Sequence, residues 1–229
     1  MFLMINSFLH KIYVDQYVTK NISKSLCYTN NIRARFICIL FLFIALLSSV
    51  FDFLIFKHTV IHQLFILHFK TDIIFLICTI LFLLYIFYNQ VKKVKEITKY
   101  HRIIHGAISL IIILWGTIKS SLTILTNDVN YYIYFITVLI TAVIFYFPFI
   151  MYLSQVIFSY ILLWLTHILL NISFKDFLYN LGFMFILLMI AFIISRTLYY
   201  YKVKSLLKER EITKLKQHIN YKRKEKPES

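Results

Sequence analysis

From Tyr131 to Asn171 the sequence runs about forty residues without a charged side chain. A bilayer accommodates such a stretch when it is helical, because every backbone amide then finds its partner within the segment. As one helix it would reach roughly 60 Å at 1.5 Å per residue, about twice the hydrocarbon thickness. It must therefore fold back, and Pro148 in FYFPFIMYLSQ is the natural break. This predicts helices over 131–147 and 150–170.

Four further apolar runs share this character. Residues 36–56 carry one charge, Asp52; residues 73–88 lie between Asp72 and Asn89; residues 103–125 are interrupted by Lys119; the last run covers 177–198. A soluble domain of this size carries roughly a quarter charged residues and about 7% glycine. Here the 229 residues are 60% hydrophobic and 15% charged, with 3 glycines and 2 prolines. The expected fold is all-α: a polytopic integral membrane protein, a six-transmembrane-helix bundle over 36–198. A basic arm over 1–35 precedes it and a basic helical tail over 199–229 follows.

Lysine and arginine orient the bundle. The arm holds Lys11, Lys20, Lys24, Arg33 and Arg35, the segment 89–102 holds five basic residues, and the chain from Arg196 onward holds eleven. Summed over alternate compartments, 21 basic residues face 3, with Lys119 inside a span. The positive-inside rule then places both termini in the cytosol. The Pro148 turn falls on that side with no basic residue of its own. Anionic lipid headgroups, rather than nucleic acid, are the expected partner of a net charge of +15. The opening MFLMINSFLH has no basic region before its apolar run and no small-residue cleavage site. It reads equally as an interfacial helix or a disordered arm.

Charges inside spans are costly and mark candidate sites. Asp52 and Lys119 both lie near the outer end of their helices, and Asp128 follows in the outer turn. They could form a sensing or coupling site. The default, however, is that Lys119 snorkels to the headgroups and Asp52 lies near the interface, where the penalty is small. His58, His62 and His68 on the loop KHTVIHQLFILHFK are too few for a confident zinc set and read as interfacial residues. His101 and His105, four apart among lysines, read as solvated. No cofactor or metal is expected. Cys27, Cys38 and Cys78 read as buried core residues. A peptide-processing role for Cys78 with His68 is weakened by their ten-residue spacing and by the lack of an electropositive, wet setting. A small transport or substrate-binding subunit is the alternative, though no GxxxG motif supports close helix packing.

The tail SRTLYYYKVKSLLKEREITKLKQHINYK carries a loose apolar stripe of Val203, Leu206, Leu207, Ile212, Leu215 and Ile219. Arg196, Tyr199, Tyr200 and Tyr201 stand where an aromatic and basic anchor at the cytosolic interface belongs. Ser205 and Lys208 interrupt the heptads, so weak dimerisation and lying on anionic lipid are both open. The six spans, the WG of the third helix (Trp115-Gly116) and the phrase IISRTLYYYKVKSLLKEREITKLK resemble the N-terminal membrane sensor region of GGDEF diguanylate cyclases from low-GC Gram-positive bacteria. In that family the last helix runs through a short coiled coil into the catalytic domain. No GGDEF-type sequence follows Lys216, so the resemblance implies a membrane input module and no catalytic residues. The expected function is a non-enzymatic sensory or regulatory module acting through its last helix. Its partner would be a second copy or an intact sensor protein.

Overall fold

A computed structural model describes residues 18–56, 62–89, 97, 99–124, 131–169 and 174–225. Every regular element among them is a helix: α1 (Lys20–Phe56), α2 (His62–Tyr88), α3 (Lys99–Ile124), α4 (Tyr132–Ile144), α5 (Phe149–Leu169) and α6 (Phe174–Glu225). Five contain segments long and apolar enough to cross a membrane: Lys20–Leu54, Ile66–Tyr88, Tyr100–Thr123, Phe149–Thr166 and Phe185–Tyr221. That is the build of an integral membrane protein. The remaining helix, α4, has 13 residues.

The expected boundaries need three corrections. Helix α1 begins at Lys20, sixteen residues before the expected first span, so the second half of the basic arm is helical. Its Ile22 and Leu26 are buried against Tyr199 and Val203 of α6, and that apolar contact holds the arm against the bundle. Helix α2 begins at His62 rather than at residue 73, which places Asp72 well inside it. Helix α4 stops at Ile144, where Phe145 turns to extended backbone (φ −99°, ψ 136°). Residues 1–17, to which the question of an N-terminal interfacial helix belongs, lie outside the described residues.

Helices run alternately up and down. Helix α1 packs along α2, α3 packs on α4 and α5, and α4 packs on α6. The core is largely aromatic: Phe75 stacks on Trp115 at 4.8 Å, and Phe41 meets both edge-on. Hydroxyls within the spans are satisfied locally. Ser49, Thr71, Thr79, Thr117 and Thr166 each donate to the carbonyl four residues back, so apolar helices carry them cheaply. Other polar groups tie helices together. Gln155 accepts from Ser109 and donates to the Gly106 carbonyl, and Tyr134 OH meets Ser159 Oγ at 3.0 Å. Such bonds hold helices where no hydrophobic effect operates between them.

Gly116 explains the close approach of α3 to α4. A Cβ at this position would overlap the Thr137 side chain. One turn further on, Ser120 Oγ accepts from the Tyr134 amide at 3.0 Å, which gives the first turn of α4 a partner from outside its own helix.

Candidate functional site

Helices α1, α2 and α3 bring four ionisable side chains together near one end of the bundle. Lys119 Nζ donates to Asp52 Oδ2 at 2.6 Å, to Asp72 Oδ2 at 2.8 Å and to His68 Nδ1 at 3.4 Å. An ammonium has three protons and no lone pair, and here each proton has an acceptor. His68 Nδ1 also lies 3.9 Å from Asp52 Oδ2. The second oxygen of Asp72 accepts from Trp115 Nε1 at 2.9 Å.

Burial sets the energy scale. Asp72 is 0% exposed and Lys119 3%, while the Asp52 side chain keeps 14%. Desolvating two charges is repaid only when geometry is good and the remaining protons and lone pairs are used. The snorkelling default for Lys119 is thus overturned: its ammonium turns inward to carboxylates from two other helices. Asp128, His58 and the side chain of His62 lie outside the described residues. Among the described residues, no group of three His, Cys, Asp or Glu side chains could hold a metal ion.

Two members were missed because each looked like a boundary. Asp72 flanks an apolar run and reads as the edge of a span, and His68 reads as loop. The available signal was the spacing of His68, Asp72, Phe75 and Thr79, which is one face of a helix. Cys78 is not joined to His68: ten residues on one helix separate them by roughly 15 Å.

A second polar assembly closes the opposite end. Helix α4 breaks before Pro148 and leaves its last carbonyls without helical donors. Arg33 Nη1 donates to the Ile144 carbonyl at 2.9 Å, and Asn30 bonds the Tyr146 backbone twice, accepting from its N–H at 2.9 Å and donating to its C=O at 3.1 Å. Arg33 Nη2 donates to Tyr146 OH at 2.6 Å, with the guanidinium over that ring at 4.2 Å. Arg196 Nη1 reaches the Phe147 carbonyl at 3.4 Å. The Pro148 turn thus takes its basic residues from α1 and α6, far away in sequence.

The tail residues divide into two groups. Arg196 and Tyr199 are 1% and 2% exposed, with the guanidinium 4.6 Å above the Tyr199 ring, so both sit inside the protein. Tyr200 is half-buried and Tyr201 is exposed. Val203 is buried, and Leu206 and Leu207 pack against the cluster that Ile22 and Leu26 of α1 form with Tyr199 and Val203. Ile212, Leu215 and Ile219 are bare, each more than half exposed.

His101 and His105, expected in solvent, are both buried. His105 Nδ1 lies 3.5 Å from Cys27 Sγ, and its Nε2 lies 3.3 Å from Asn31 Oδ1. Thiol, imidazole and amide follow the order of a nucleophile, base and orienting group. The adjoining space is about 40 Å³, which is water-sized. The contact ties α1 to α3. No family model matches this chain, and neither a curated protein nor a solved structure matches it.

Proposed function

We propose that the chain is a non-enzymatic, membrane-embedded sensory or regulatory module that signals through α6. The observation that carries this reading is the continuity of α6. One helix of 52 residues packs within the bundle as far as Val203, then continues with residues 208–221 exposed on every side. A helix buried at one end and bare at the other converts a change in bundle packing into a movement outside it.

Six crossings fit the geometry. Helix α4 supplies about 20 Å and the extended stretch 145–148 about 13 Å, together enough for a 30 Å hydrocarbon layer. Extended backbone is tolerated at membrane depth where protein buries it, as Asn30, Arg33 and Arg196 do here. With six crossings both termini lie on the side of Lys20, Lys24, Arg33, Arg35, Arg102 and the tail, which is the cytosol by the positive-inside rule. The Asp52–Lys119–Asp72–His68 cluster then faces the outer side and is the input. Helix α3 joins the cluster to α4, and α4 packs on α6.

The bare stripe fits a parallel second copy, since two copies inserted alike present their tails in parallel. With Ile212 and Ile219 at a and Leu215 at d, Lys204 and Glu211 fall at g, and Glu209 and Lys216 at e. Each g residue then meets an opposite charge at e of the second copy. A small transport subunit would instead need a polar passage between helices.

The test uses a variant with Cys27, Cys38 and Cys78 replaced by serine and Leu215→Cys added, oxidised in membrane vesicles. Cross-linked dimer should form, and Lys119→Met should change its rate several-fold. A rate indifferent to Lys119 removes the coupling, and absence of cross-linking removes the paired tail.

A further inference from the structure

The outward side of the bundle carries a groove between α2 and α3 that none of the preceding readings uses. Its volume is about 230 Å³. It runs from Thr71 to Cys78 on one wall and from Ile111 to Ile118 on the other, with Phe75 and Trp115 as its floor. Eight residues of helix on each side make it roughly 10 Å long. Ile74 (63% exposed) and Ile118 (40%) flank its mouth, whereas Phe75 and Trp115 below are 3% and 6% exposed.

Three observations identify the occupant. The groove lies within two helices that are apolar enough to cross a membrane, and its mouth adjoins the exposed face of Ile74, Ile77 and Leu81. Its lining is overwhelmingly apolar, and the Thr71 hydroxyl is already spent on the Leu67 carbonyl at 2.8 Å. Water therefore finds no partners in it. An apolar cavity of roughly 150 Å³ admits benzene, so this space admits a hydrocarbon chain lying along the helices.

We propose that the groove between α2 and α3 binds one acyl chain of a bilayer phospholipid, which lies against the Trp115 indole. This rests on the bilayer reading above and extends it to a ligand class. The groove's outer end is one residue from each of two cluster members, Asp72 beside Thr71 and Lys119 beside Ile118. Trp115 lies in the floor and also donates to Asp72. Chain occupancy therefore sets the position of the indole that orients the buried carboxylate, and lipid composition becomes a stimulus the cluster can register.

The experiment uses phospholipids brominated along the acyl chain as contact quenchers in reconstituted bilayers. The chain has 2 tryptophans, so Trp164→Phe isolates Trp115, and the difference from the unmodified protein reports Trp164, which is 42% exposed. Trp115 emission should fall at least twofold in brominated lipid despite its burial. Cys78→Phe and Ile111→Phe, which fill the groove from opposite walls, should each remove at least half of that quenching. Quenching of Trp164 with Trp115 left bright would overturn the groove and leave the bilayer reading standing. Two bright tryptophans would overturn both. Trp115 quenching undiminished in both filled variants would show that the chain arrives by another route, and the proposal would fail.

Discussion

Lys119 is the residue on which the cluster with Asp52, Asp72 and His68 turns. Replacing it with methionine keeps the volume but leaves Asp52 and Asp72 facing each other without a cation. Breaking a buried pair from one side costs about 3–5 kcal/mol, so Lys119→Met should lower the unfolding midpoint sharply in a detergent melt. Adding Asp52→Asn and Asp72→Asn removes the stranded charges and should return part of that loss. The coupling should be about 0.5–3 kcal/mol; strictly additive effects would mean that the short distances contribute no interaction energy. Half of this cluster was legible beforehand. Asp52 and Lys119 stand out because charge inside an apolar run is rare, whereas Asp72 and His68 hide where a run ends. The local signal for them was helical spacing alone, which does not reveal that a third helix supplies their partner. Gly116 makes a further residue-scale test. Gly116→Ala drives a methyl into Thr137 and should cost about 1–3 kcal/mol. Gly106→Ala meets only the flexible end of Met151 and should be close to neutral. A near-neutral Gly116→Ala would mean that α3 and α4 are not held at this spacing.

At the scale of elements, apolar runs located all six helices, but their ends were displaced wherever tertiary contacts decide them. The arm of α1 is helical because Ile22 and Leu26 find Tyr199 and Val203; alone, a short polar helix gains too little to form. The end of α4 was placed within a few residues by Pro148, yet the extended turn before it depends on Asn30, Arg33 and Arg196, which sequence spacing could not connect. The bare part of α6 offers a charge-reversal test. In the cross-linking assay Glu211→Lys sets like charges against Lys216 of a second copy and should lower the dimer yield. Lys216→Glu in the same chain should restore it. No recovery in the double variant would point to another helix register.

For the molecule as a whole, sequence counting predicts that charge is segregated between the two ends of the bundle. Arg33 of α1, Arg102 of α3 and Arg196 of α6 lie towards one end, and the cluster that holds Lys119 lies towards the other. In a chain freed of its native cysteines, Lys70→Cys should react with an impermeant thiol reagent applied outside intact cells. Lys208→Cys should react only after the cells are opened. Labelling of both positions from one side would contradict an even number of crossings.

The clamp around Pro148 gives the chain an order of manufacture. Synthesis from the N-terminus delivers Asn30 and Arg33 long before the stretch FYFP, and Arg196 about fifty residues after it. Until α6 emerges, the Phe147 carbonyl lacks its guanidinium and the short α4 lacks a helix it packs on. The short α4 is therefore secured last although it is made before α5 and α6. A ribosome paused shortly after Leu169 would hold a half-built bundle whose weakest point, α4, is already made.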